Sequence, residues 1–134
     1  MTDRVLTVDS LDVTIPVPAG TLRPVQDVSF VVDRGETVCI VGESGCGKSL
    51  TALAIMDLLP SRATRKARSL ELAGIDMTRL SERQMSDIRG NRMAMIFQEP
   101  MTSLNPAYTI GNQLIEAMRR HNGSSRVSPR IGPT

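Results

Sequence analysis

Residues Gly42 to Ser49 read GESGCGKS, which fits the pattern Gly, four residues, Gly-Lys-Ser/Thr in full. Just before it, Glu36–Val41 (ETVCIV) predicts a short buried strand. Just after it, Ser49–Leu59 (SLTALAIMDLL) predicts a helix. That strand–loop–helix context separates a phosphate-binding loop from a glycine turn met by chance. Gly42, Gly45 and Gly47 permit backbone conformations that a side chain would block, and they let a ligand approach the main chain closely. Glu43, Ser44 and Cys46 complete the loop, and the amides from about Gly45 to Ser49 point inward as a concave anion site. The helix adds unpaired N–H groups and the positive end of its dipole. Lys48 brings a full charge to the β- and γ-phosphates, and Ser49 offers a hydroxyl to Mg²⁺. The predicted ligand is a nucleoside triphosphate with magnesium, held by backbone more than by side chains.

With 134 residues the chain is long enough for one domain with a real core. Aromatic residues make up 2% of it and Trp is absent, which argues against nucleic-acid binding through stacked bases. A net charge of +2 is too small to predict a polyanionic partner. The basic residues Arg62, Arg65, Lys66 and Arg68, and those from Arg119 and Arg120 to Arg126 and Arg130, read as solvated faces and a loose tail. No apolar run reaches the length that spans a bilayer, and the first residues lack the apolar stretch of a signal peptide. A cytoplasmic protein is expected. Cys39 reads as a small core residue and Cys46 as a loop residue, the two not bridged.

Val5–Ile15 carries β-branched residues with partial alternation and predicts a strand, with a turn over Pro16–Gly20 and a second strand over Val25–Val32. A small antiparallel layer beside an α/β core follows from that order. Leu50, Leu53, Ala54 and Leu58 place one face of the first helix in the core, and Pro60 marks its end. Ser61–Ser69 reads as an exposed connection. Ser69–Leu72 and Ile75–Thr78 are short strand candidates, and Leu80–Arg89 predicts a helix capped by Ser81, with the capping-box glutamate displaced. Met93–Phe97 (MAMIF) is a continuous apolar run, as in a strand buried on both faces. It leads into a proline-bracketed loop, Gln98–Pro106, and then an amphipathic helix over Ile110–Arg120 with Ile110, Leu114 and Met118 in register. From His121 the composition turns to Gly, Ser, Pro and Arg, which predicts disorder over residues 121–134.

Two motifs in this order, GESGCGKS and MIFQEPMTSLNP (Met95–Pro106), resemble the Walker A loop and the Q-loop of the ATP-binding subunits of ATP-binding-cassette (ABC) transporters. The Q-loop wording is similar to that of subunits importing oligopeptides, dipeptides, nickel or glutathione, and the resemblance runs from about Val5 to Arg120. It implies an α/β, P-loop NTPase-like partial core with an antiparallel β layer, an incomplete ATP-binding domain over residues 1–120. It implies ATP and Mg²⁺ as ligands. Gln98 would sense the γ-phosphate, help hold Mg²⁺, and report to transmembrane permease subunits through the Gln98–Pro106 loop. A second ATP-binding subunit would complete the site, on the cytoplasmic side of the inner membrane.

The sequence also departs from that family. Counting back places Ala19 where the adenine-stacking aromatic is expected, and Thr21–Val25 offers none either, so base recognition is expected to be weak or to rest on apolar contact. The LSGGQ signature is missing; Leu80–Gln84 (LSERQ) mimics it without the glycines that form a backbone nest and reads as a helix start. The Walker B carboxylates and the switch histidine are missing too, and His121 reads as incidental. The chain thus looks like the first part of such a subunit. Three readings stay open: ATP hydrolysis coupled to peptide import, a non-catalytic nucleotide-binding or docking module, and an inactive product of a disrupted gene.

Overall fold

The alternating first quarter of the chain closes into a long hairpin. Strands β1 (Arg4–Val17) and β2 (Gly20–Asp33) pair antiparallel, from Arg4 opposite Asp33 to Val17 opposite Gly20. The structure, a computed structural model, describes residues 3–43, 45, 47–98 and 103–122. By compactness the chain divides into Met1–Met85 and Ser86–Thr134, and each unit is considered by itself.

In the first unit, β3 (Thr64–Lys66) and β4 (Ser69–Leu72) both pair antiparallel with β1, and β5 (Ile75–Asp76) pairs with β4. The β4–β5 connection is Ala73-Gly74, with φ of 47° and 82°. Two successive positive φ values are what a tight hairpin turn requires. β1 does not alternate strictly. Its pairing shifts between Val8 and Leu11, and Ser10 there has a φ of 52°. Such a bulge returns Leu11 and Val13 to the face already occupied by Val8. All three are buried, with Val25, Leu70, Leu72, Met77 and Met85. Each such side chain contributes about 1.5–3 kcal/mol by leaving water, so the antiparallel layer holds this unit together.

Helix α1 (Lys48–Ile55) is shorter than its sequence predicts. Asp57 takes a φ of 55°; its amide donates to Ala54 O at 3.2 Å and the Leu58 amide to Leu53 O at 2.8 Å. This left-handed stop closes the helix before Pro60 can matter. The buried face is Thr51 and Ala54 rather than a leucine stripe, and Leu58 is exposed.

Arg65 is not part of an exposed basic connection. On β3 opposite Val13, its side chain is only 12% exposed. It donates to Ala54 O at 2.8 Å and Met77 O at 3.1 Å. Asp57 lies 3.9 Å away. The guanidinium therefore ties the C-terminal end of α1 to the antiparallel layer, with the charge that a helix C-terminus favours. Arg65→Ala is expected to lower stability by about 1–3 kcal/mol, because two carbonyls lose a charged donor. Arg65→Lys should recover only part of that, since one ammonium lacks the fork to reach both. Urea unfolding midpoints of the three proteins check this.

After β5 a 3₁₀ turn (Met77–Arg79) is capped by Asp76. The Thr78 hydroxyl and then its amide donate to that carboxylate and hold it below the usual carboxylate range. Helix α2 (Glu82–Ile88) follows. Its start is a complete capping box: the Gln84 amide donates to Ser81 Oγ at 3.3 Å and the Ser81 amide to Gln84 Oε1 at 2.9 Å. Gln84 does the work expected of a displaced glutamate, and LSERQ is a helix start.

In the second unit, α3 (Ile110–Asn122) extends past the predicted end. Arg120 pairs with Asp87 at 2.6 Å and donates to Ser86 at 3.2 Å. The His121 ring lies against Gly90, where a Cβ would meet Nε2 at 2.9 Å. Arg120 thus holds α3 to the residues that end α2 and is not part of a loose tail, and His121 packs beside it against Gly90. The stripe Ile110, Leu114, Met118 is exposed, at 63%, 59% and 46%, instead of facing a core. Residues 123–134, predicted to be disordered, lie outside the described residues.

Candidate functional site

The loop that carries the phosphate-binding pattern is set by glycine where glycine is needed. Gly45 has a φ of 82°, and Gly47, which caps α1, has a φ of 94°. In that left-handed region a side chain costs about 1–2 kcal/mol. Gly47 has a second requirement. A Cβ there would lie 2.5 Å from the Pro24 carbonyl oxygen and 3.6 Å from Val25 Cγ2. The loop is seated directly on β2, so the antiparallel layer positions the start of α1.

The helix start is pinned from within as well. Thr51 donates twice to the Gly47 carbonyl, from its amide and from its hydroxyl, both at 2.9 Å. Thr51 is buried. Lys48, the first residue of α1, folds its ammonium back over the loop and donates to Gly42 O and, at 3.0 Å, to Glu43 O. Ser49 is exposed on the same first turn. Gly42, Glu43, Gly45, Gly47, Lys48 and Ser49 are thus brought together around one turn of chain. Ser44 and Cys46 lie outside the described residues.

An ammonium at one edge, left-handed glycines at the bend and a helix N-terminus behind form an arrangement suited to a polyanion. Among the described residues no group of three or more His, Cys, Asp or Glu could hold a metal ion.

Two predicted strands differ from expectation. Residues 36–41 form no strand, and every one of them is exposed; Val41 is 88% exposed and Ile40 48%. Cys39 is a free, exposed thiol and not a core residue. In the second unit, Met93 forms an isolated bridge to Arg89 rather than a strand, and Ile96 and Phe97 are 95% and 52% exposed. A continuous apolar run becomes a buried strand only where neighbouring strands take its backbone groups and helices cover its faces.

Gln98 follows Phe97 in an exposed bend. Glu99–Thr102 lie outside the described residues. The far end of this loop is anchored by Gln113 of α3, which accepts from the Asn105 amide at 2.8 Å and donates to Asn105 O at 2.9 Å and Tyr108 O at 3.1 Å. Neither Gln113 nor Pro24 was visible as a positioning residue in the sequence; each acts through a contact that no motif encodes.

The profile of the ABC transporter family matches residues 25–130. A dipeptide transport ATP-binding protein of Bacillus subtilis is 46% identical over 129 residues, which are 96% of this chain and 38% of that protein. The dipeptide transport ATP-binding protein of Escherichia coli K12 is 45% identical over 125 residues, 93% of this chain and 38% of its own length. A glutathione import ATP-binding protein of Shigella boydii is 45% identical over 131 residues, covering 92% of this chain and 21% of the relative. The chain thus spans well under half the length of these relatives. Among the described residues no helix is long and apolar enough to cross a membrane.

Proposed function

Because the chain belongs to the ABC transporter family, we propose that it is the nucleotide-binding part of an ATP-driven importer of peptides or related small solutes. The relatives named for dipeptide transport and glutathione import support that class of cargo. Gly42–Ser49 takes the polyphosphate of ATP. Loop amides and the start of α1 bind its oxygens, Lys48 neutralises the β- and γ-phosphates, and Ser49 faces the Mg²⁺ that accompanies them. Mg²⁺ there would neutralise charge on the β- and γ-phosphate oxygens. Gln98 lies at the head of the Gln98–Pro106 loop, through which the nucleotide state passes to transmembrane permease subunits, with a second ATP-binding subunit opposite. The protein works peripherally, on the cytoplasmic face of the membrane.

The observation that carries this reading is the conformation of the loop itself: Gly45 and Gly47 left-handed, α1 beginning at Lys48, and the Lys48 ammonium folded back onto the carbonyls of Gly42 and Glu43. Titration of the purified chain with fluorescent ATP tests it. Saturable binding that EDTA weakens is expected, and a linear, unsaturable response at all concentrations would sink the reading.

A second reading, binding without turnover by this chain alone, is favoured by the exposure of Val41 and Ile96. The runs that lead into the phosphate loop and into Gln98 are not locked in a sheet. Phosphoryl transfer requires nucleophile and charge to be positioned together. Hydrolysis by these 134 residues is expected at background rate, and a rate clearly above background in a phosphate-release assay would exclude this second reading.

A further inference from the structure

Between the C-terminal end of α1 and strand β3 lies a cleft lined by Asp57, Arg65, Lys66 and Thr78. It measures about 520 Å³, within the roughly 300–1,000 Å³ common for small-molecule sites. Ala63 and Ala67 add only methyl groups to its wall. The three charged groups differ in how they are held. Arg65 is the least exposed of them and is fixed by the carbonyls of Ala54 and Met77. Its planar fork is therefore in place before any ligand arrives. Lys66 stands exposed on β3, and among the described residues it has no ion-pair partner. Asp57, whose left-handed φ of 55° ends α1, is 39% exposed and lies 3.9 Å from Arg65. That pair interacts by charge at a separation longer than a direct hydrogen bond.

A carboxylate and two cations around one cleft suit neither a simple cation nor a simple anion. A cation would meet Arg65 and Lys66, and an anion would meet Asp57, in each case at the cost of a like-charge contact. We propose that the cleft binds a zwitterion, an α-amino acid or short peptide, with its ammonium at Asp57 and its carboxylate at Lys66 and Arg65. A guanidinium fork matches the geometry of a carboxylate. An ionised carboxylate offers about four acceptor sites, so Asp57 takes a ligand ammonium without releasing the partners it already has. The cleft is distinct from the polyphosphate site. Lys48 begins α1 and Asp57 follows its other end; at about 1.5 Å per residue those 8 residues span roughly 12 Å. A ligand in the cleft bridges α1 to β3, the same two elements that Arg65 ties, and so should raise the stability of the folded chain as it binds.

Isothermal titration of the full chain with L-alanyl-L-alanine and, in parallel, with L-alanine tests the proposal. Saturable binding of at least one is expected, and which of them binds more tightly tells a peptide site from an amino-acid site. The N-acetyl and C-terminal amide forms of the dipeptide each lack one charge. Each should bind about tenfold more weakly, the effect of removing one charged hydrogen bond. Lys66→Gln should weaken the dipeptide by a similar factor and leave the amide form unaffected, because that form has no carboxylate to lose. Asp57→Asn, which tolerates the left-handed backbone, should weaken the dipeptide and leave the N-acetyl form unaffected. Lys66 is exposed, so the urea midpoint of Lys66→Gln without ligand should match that of the parent and show that lost binding is not lost folding. Absence of saturable binding by both ligands would overturn the proposal. So would capped forms that bind as tightly as the dipeptide, or inorganic phosphate that binds more tightly than either zwitterion and loses its affinity in Lys66→Gln. The titrations contain no nucleotide, so their outcome is independent of whether Gly42–Ser49 binds ATP.

Discussion

Replacing Lys48 by Ala is expected to weaken ATP binding by about ten- to a hundredfold, while leaving the unfolding midpoint nearly where it was. The first figure follows from removing one charged hydrogen-bond donor to phosphate, worth about 1.5–3 kcal/mol. The second follows from what Lys48 touches without ligand. Its partners are the carbonyls of Gly42 and Glu43, both in exposed residues, where water replaces the lost donor. The same ammonium that spans the loop carbonyls must leave them when phosphate arrives, so its worth appears in binding and not in folding. Isothermal titration with ATP and Mg²⁺, together with a urea melt, separates the two quantities. Unchanged ATP affinity in Lys48→Ala would remove the loop from the binding site. A large loss of stability would mean that its role is structural.

The second large effect is expected at Gly47. Ala there must take a left-handed φ, at about 1–2 kcal/mol, and must place a methyl group 2.5 Å from the Pro24 carbonyl oxygen. Backbone cannot swing aside as a flexible side chain can, so loop and β2 must separate. Gly45 supplies the control. Its φ of 82° imposes a similar conformational cost, but a Cβ there meets nothing within 4 Å. Gly47→Ala is therefore expected to be less stable than Gly45→Ala by about 1–3 kcal/mol, the usual range for overpacking. Denaturant midpoints of the two variants settle the matter, and equal midpoints would contradict the close seating of the loop on β2. Against a total stability of about 5–15 kcal/mol, the Gly47 variant loses a large share of what holds the first unit folded.

What could be read from the sequence alone shares a short range. GESGCGKS requires glycine freedom at Gly45 and Gly47, and a helix from about Ser49, because those demands arise within a few bonds. The β1–β2 hairpin, the turn at Ala73-Gly74 and the Ser81–Gln84 capping box are likewise decided by residues close together in the chain, and family membership follows from two local wordings in order. What only the tertiary structure decided depends on distant partners. Arg65 turns inward because β3 pairs with β1 beneath the end of α1. Gly47 is sterically obligatory because Pro24, far back in the chain, lies against it. Val38, Ile40, Val41, Ile96 and Phe97 have the composition of buried strands and are nonetheless exposed. Apolar composition sets how much is gained when a strand is covered. Whether it is covered rests on neighbouring strands and helices, and those are supplied from elsewhere in space.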